Sequence, residues 1–163
     1  MRGCVTPQIQ IRRAQPDDAP AIAVVLYESF VDYEALYTEE GFAATTPCKE
    51  QIEARMHEGP VWVASCDGTI VGTISAVASD NALYVRSMAV LPAARETGAG
   101  STLLRQVESW AAAEGAPRIF LSTTPFLESA IRLYEKFGFQ RTDDGPFDLF
   151  GTPLFTMEKN LSR

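Results

Sequence analysis

The stretch Met88 to Leu104, "MAVLPAARETGAGSTLL", constrains this chain more than any other. An apolar, strand-like run ends at Pro92, which has no N–H to give a sheet ladder. Gly98 and Gly100 follow, and from Ser101 the apolar residues recur at helical spacing. A strand therefore feeds a bent loop that opens directly into a helix. Glycines let such a loop turn tightly and bring several amide N–H groups together at the helix N-terminus, where the macrodipole favours an anion. A pyrophosphate suits that arrangement, and Arg95 offers charge-assisted hydrogen bonds to its oxygens. A tight structural turn would use the same glycines.

Two other phosphate loops do not fit. A Walker loop ends in Gly-Lys-Ser/Thr, whereas Gly100 is followed directly by Ser101. A dinucleotide fingerprint follows the first strand as G-x-G-x-x-G, and here the spacing differs and the loop lies mid-chain.

Patterning supplies the other elements. Ile9 to Arg13 alternates apolar and polar residues, the mark of a strand, after a loose leader over 1–8. Ile22, Val25, Leu26, Ser29, Phe30 and Tyr33 predict a helix over 18–35, with Pro20 in its first turn. Residues 38–46 read as a loop and 47–57 as a second helix. Strands over 61–65, 69–78 and 82–91 are joined by Asp67-Gly68 and Asp80-Asn81, both turn-prone pairs. A helix over 101–114 stops at Gly115, a strand covers 118–123, and a helix over 125–137 closes at Gly138. "FQRTDD" and "PLFTMEK" add two strands. Hairpins followed by β-α-β imply an α/β (α+β) fold in one domain over 1–163, its core at about 9–159. Its mixed sheet has about seven strands, antiparallel first and parallel later, flanked by four helices.

Charge and cysteines limit the partners. A net charge of −7 argues against a nucleic-acid backbone and suits a cationic substrate. Cys4, Cys48 and Cys66 lack C-x-x-C spacing and His57 is the single histidine, so neither a disulfide framework nor a metal site is expected. With no signal-like or membrane-length apolar run, the expected setting is cytoplasmic.

A second informative segment is Ser129 to Phe139, "SAIRLYEKFGF". Together with Val90-Leu91-Pro92 and Arg95-Glu96-Thr97-Gly98-Ala99-Gly100 it resembles the GNAT superfamily of acyl-CoA N-acyltransferases. That family's central loop reads Q/R-x-x-G-x-G/A, and its later A-x-x-L-Y-x-K-x-G-F segment is matched by Ala130, Leu133, Tyr134, Lys136, Gly138 and Phe139. The element order agrees over nearly the whole chain.

The resemblance implies transfer of an acetyl group from acetyl-CoA to a primary amine of a small molecule, by direct attack through a tetrahedral intermediate. Two parallel strands would splay, and the strand at Arg86 to Val90, including Met88, Ala89 and Val90, would pair with the pantetheine arm. Arg95, Glu96, Thr97, Gly98, Ala99, Gly100 and Ser101 would form the pyrophosphate loop. Tyr134 would protonate the departing sulfur, since a phenol of pKa near 10 keeps its proton at neutral pH. Two positions depart from the family. Relatives often carry a glutamate in the segment Tyr84 to Met88, which here holds no carboxylate. Water or an acid among Glu28, Asp32, Glu34, Glu39 and Glu40 is expected to substitute. Leu127 stands where many relatives have asparagine, leaving Ser122, Thr123 or Thr124 for that cofactor contact. Phe30 and Tyr33, with Glu34, are expected to wall the acceptor pocket, where aromatic rings suit a cation. The alternative is a degenerate GNAT module that binds acyl-CoA without turnover. Homodimers are common among relatives.

Overall fold

The computed structural model describes residues 8–161. Asp67 (φ 53°) and Gly68 (φ 84°) both take left-handed backbone, the hairpin geometry whose twist matches its strands. They join β2 (Val61–Cys66) to β3 (Thr69–Ser79), and Asp80 (φ 52°) turns β3 into β4 (Ala82–Val90). With β1 (Ile9–Arg13), β5 (Arg118–Thr123), β6 (Gln140–Thr142) and β9 (Phe155–Asn160) these form one seven-stranded sheet in the order β1-β2-β3-β4-β5-β9-β6. Every neighbouring pair is antiparallel except β4 and β5. The mixed sheet expected from the pattern is the one observed.

Period-2 alternation in β2 divides the core. Val61 and Val63 pack with Ile22, Val25 and Leu26 of α1 (Ala19–Phe30) and Ile52 of α3 (Lys49–Arg55). Trp62 and Ala64 belong to the opposite core, with Leu103, Leu104, Val107 and Ala111 of α4 (Ala99–Ala113). Each of these buried Val, Leu and Ile side chains contributes roughly 1.5–3 kcal/mol relative to exposure. α5 (Glu128–Lys136) adds Tyr134 to the second core.

Several boundaries differ from the sequence expectation. The helix over 18–35 ends at Phe30, and Val31–Leu36 continues as tighter 3₁₀ turns. Residues 38–46 are not a loop: α2 (Glu39–Thr45) starts there, capped by Thr38, whose Oγ1 accepts from the Gly41 amide at 3.0 Å. Gly41 hides this helix in the sequence, yet a Cβ there would strike Thr152 Oγ1 and the Leu149 carbonyl. The described residues thus hold five α-helices, not four. The second predicted helix shortens to α3. "PLFTMEK" is divided, because Thr152–Pro153 (β8) pairs with Asp148–Leu149 (β7) in a separate hairpin before β9 begins. That hairpin holds the start of α2: Thr152 Oγ1 accepts from the Thr38 amide at 2.8 Å. Apart from Gln8, the expected leader over 1–8 lies outside the described residues, as does Cys4.

Candidate active site

The parallel pairing of β4 with β5 covers only Leu83↔Ile119, Tyr84↔Phe120 and Val85↔Leu121. Beyond it β4 runs on to Val90 and β5 to Thr123 with no further pairing between them, so the strands part in their C-terminal direction. On its other side β4 stays paired with β3 through a bulge. Thr73 faces Ala89 and Ser75 faces Arg86, so Ser87 and Met88 share the single position opposite Ile74. Ser87 takes φ 55°, an uncommon conformation for a side-chain-bearing residue. Such bulges re-aim side chains; this one lies at the apex of the splay.

A cavity of about 640 Å³ occupies the opening. Of the residues singled out in the sequence, Phe30, Tyr33, Met88, Ala89, Val90, Arg95, Gly100, Thr123 and Tyr134 line it. Glu34, Glu96, Thr97, Gly98, Ala99 and Ser101 do not. Ala99 is fully buried beneath the loop. Thr97 serves the loop's own shape: its amide and hydroxyl both donate to the Ala94 carbonyl, at 3.2 and 2.6 Å, and its Oγ1 accepts from the Ala99 amide. Gly98 (φ 87°) then caps α4, so the helix begins at Ala99, two residues before the expected Ser101. Gly100 sits at the cavity wall, where a Cβ would lie 2.9 Å from Leu133 Cδ2 and 3.3 Å from Met88 Cε. Arg95 donates from Nε to the Val90 carbonyl at 3.3 Å and from Nη2 to the Ser29 carbonyl at 3.2 Å, which ties the loop to α1.

Tyr134 is 7 % exposed, and burial raises its pKa strongly, with Tyr37 adding to the effect. Its phenol therefore holds its proton throughout the physiological range. Burial also raises Tyr37 and Tyr84, which line the same cavity. Three buried side-chain polar atoms lack a hydrogen-bond partner among the described residues: Ser29 Oγ, Arg86 Nε and Thr124 Oγ1. All three belong to cavity-lining residues. Unsatisfied buried polar groups are scarce in folded proteins, so their concentration here marks a place prepared for a ligand.

A family model described as "Acetyltransferase (GNAT) family" matches residues 24–139. The chain belongs to the GNAT family. It is 30 % identical over 148 residues to the uncharacterized N-acetyltransferase YjgM of Escherichia coli (strain K12), covering 85 % of this chain and 87 % of that one. It is 28 % identical over 138 residues to the uncharacterized N-acetyltransferase YhfO of Bacillus subtilis (strain 168), covering 81 % and 90 %. Among solved structures, PaiA N-acetyltransferase from Thermoplasma acidophilum in complex with coenzyme A superposes with a TM-score of 0.79 at 23 % identity, covering 94 % of this chain and 99 % of that one. These structural likenesses are of fold.

This GNAT cavity has an unexpected charge. Arg55, Arg86, Arg95, Arg132 and Lys136 line it and no carboxylate does, the inverse of the chain's net −7. The acids expected to replace the missing strand glutamate, Glu28, Asp32, Glu34, Glu39 and Glu40, are all exposed and none lines the cavity. The reason is amphipathicity: α1 turns Ile22, Val25, Leu26 and Ser29 inward, which leaves Glu28 outside. The 3₁₀ segment leaves Asp32 and Glu34 outside as well. The cavity wall holds Phe30, Tyr33, Tyr37 and Arg55 and not Glu34. Arg55 had no sequence signal, because it joins the site only when α3 packs beside the β4 bulge. There Arg55 Nη1 donates to Ser87 Oγ at 2.6 Å. Among the described residues, no helix is long and apolar enough to cross a membrane.

Proposed function

We propose that this GNAT protein transfers an acetyl group from acetyl-CoA to a primary amine of a small molecule. The observation that carries this reading is the meeting, in one cavity, of the unpaired edge of β4, Gly100 in the first turn of α4 and the buried phenol of Tyr134. The amides at the start of a helix have no intrahelical partners. With Thr97 committed to the loop's own bonds, Gly98, Gly100 and Ser101 are the amides that would hold the pyrophosphate. Arg95, Arg132 and Lys136 would balance its charge. The free edge of β4 from Arg86 to Val90 would pair with the amides of the pantetheine arm, which brings the thioester toward the apex. Thr123, at the end of β5, would face it from the other strand.

Tyr134 is the general acid in this scheme. The amine nitrogen bonds to the thioester carbonyl carbon, the C–S bond breaks, and the Tyr134 O–H gives its proton to the departing thiolate. The amine's surplus proton leaves to water, because among the described residues the cavity lining holds no carboxylate and burial keeps Tyr37, Tyr84 and Tyr134 protonated. The surrounding arginines assist, since like charge lowers the pKa of a bound ammonium. The 640 Å³ cavity is of a size for small ligands, and Leu149 and Leu154 add to its apolar lining.

The test is release of free thiol from acetyl-CoA across a panel of primary amines, with the acetylated product identified by mass. Saturable release that requires both acetyl-CoA and an amine supports the proposal. Tight acetyl-CoA binding with no thiol release for any amine would instead favour the binding-module alternative, which the carboxylate-free cavity makes a live competitor.

A further inference from the structure

The apex of the cleft carries charge that acyl transfer itself leaves unused. Arg55 comes from α3 and Arg86 from β4, and both line the cavity beside Ser87. Arg86 forms an ion pair with Glu58, while its Nε is buried without a partner. Arg55 forms no ion pair among the described residues; its Nη1 donates to the neutral Ser87 hydroxyl at 2.6 Å. Burial lowers the pKa of Arg55 and the neighbouring charge of Arg86 lowers it further, with Glu58 opposing them in part. Two guanidiniums set against one carboxylate leave one positive charge uncompensated.

We propose that Arg55 and Arg86 form an anion subsite for the acceptor, and that the acceptor is an amine that also carries a carboxylate, as an amino acid does. This rests on the acyl-transfer reading above. The phosphates of acetyl-CoA are not the anion meant, because their place is the loop end of β4, at Gly100 and Arg95. Arg86 and Ser87 lie at the opposite end, immediately past the last paired residue, Val85. A single uncompensated charge matches a carboxylate, and the planar guanidinium fork matches it in shape. The Ser87 hydroxyl, positioned by the bulge and by Arg55, adds a donor between the two arginines. Phe30, Tyr33 and Tyr37 leave an apolar, aromatic wall for the remainder of the acceptor. The net −7 of the chain suggested a cationic substrate; the local field at the apex argues for an anionic group instead.

Matched pairs of free L-amino acids and their carboxamides, with spermidine and simple alkylamines alongside, test this through thiol release. An amide is the better intrinsic nucleophile near neutral pH, because losing the carboxylate lowers the amine pKa. Any preference for the acid must therefore come from the protein. We expect the acid to lead its amide in kcat/KM by at least about tenfold, the scale of a charged hydrogen bond. Arg55→Gln should erase that lead through KM, Arg55→Lys should restore part of it, and the KM for acetyl-CoA should not change. Amides or alkylamines that match or exceed the acids would overturn the subsite while leaving acyl transfer intact. So would an Arg55→Gln variant that lowers acetyl-CoA affinity but keeps the acid-to-amide ratio. If no amine is acetylated, the acyl-transfer reading fails separately. Calorimetry of N-acetyl amino acids and their carboxamides against the CoA-saturated protein then decides: acid-selective binding lost in Arg55→Gln upholds the subsite, and equal or absent binding ends it.

Discussion

At its loop end the cleft meets the first turn of α4, where Gly100 lines it, on a helix whose position is fixed by Leu103, Leu104 and Val107 in the core. At its apex it presents side chains: Tyr134 from α5, Ser87 from a bulge in β4, Arg86 beside it and Arg55 from α3. The first end is built from one continuous segment, and its chemistry follows from backbone direction. The second is assembled from parts far apart in the chain, and its chemistry depends on which way each side chain turns. A backbone site of this kind tolerates wide substitution provided the glycines remain. A side-chain site changes specificity with single replacements, so the loop end should be common to many acceptors and the apex particular to this one.

The largest effect separating the two ends is expected from Tyr134→Phe. Removal of one hydroxyl keeps the ring that packs 5.9 Å from Phe139, so folding should be nearly unchanged. Turnover should fall by about 10²–10⁴-fold, the usual range for a positioned acid. Acetyl-CoA affinity, set at the other end, should hold. A parallel loss of both kcat and acetyl-CoA binding would show that the two ends are not independent.

The next effect is in pH. Because no carboxylate lines the cavity, kcat/KM should track the neutral fraction of the free amine. For an alkylamine of pKa roughly 10 that means a rise of about tenfold per unit from pH 7 to 9. Tyr134 should impose no falling limb in this window, because its raised pKa keeps the acid protonated. The plateau in kcat should come at lower pH than that in kcat/KM, since the arginines depress the pKa of the bound amine. An early plateau in kcat/KM would reveal a base at the apex that the geometry does not show.

How each end was legible follows from the same difference. Gly98, Gly100, Arg95 and the helix after them lie in one run of sequence, so the loop and its place after a strand were readable directly. Even there the division of labour was not: Thr97 looked like a ligand and braces the loop, and Arg95 directs one donor to the Ser29 carbonyl of α1 and another to the Val90 carbonyl at the end of β4. The mixed sheet was readable because Asp67-Gly68 fixes a hairpin and β-α-β fixes a parallel pair; the insertion of β9 between β5 and β6 was not. At the apex, Tyr134 was readable only through its motif. Arg55 and Ser87 were not, because nothing local announces that α3 packs beside a bulge created by β3–β4 register. The placement of Glu34 in the acceptor wall failed because the helix stops at Phe30, and the 3₁₀ turns that follow carry Glu34 to the surface.

The smallest expected effect tests that last point. Glu28→Gln, Asp32→Asn and Glu34→Gln remove exposed charges outside the cavity, so each should change kcat/KM by less than about twofold and leave the pH profile in place. A shift of the profile by any one of them would return the base to the α1 side and break the contrast drawn here.

We propose that the loop end of the cleft is an acyl-CoA site built on backbone amides. Calorimetric titration of acetyl-CoA into wild type and Gly100→Asp tests it most directly, with thermal unfolding of both proteins as the check on folding. The expected result is one site per chain with a Kd between about 1 μM and 1 mM, the range over which enzymes commonly hold substrates. Acetyl-CoA should raise the Tm of wild type by mass action. The folded Gly100→Asp protein should show neither heat nor Tm shift, because its carboxylate would stand where phosphate belongs. No binding by wild type at millimolar acetyl-CoA, or undiminished binding by Gly100→Asp, would contradict the claim.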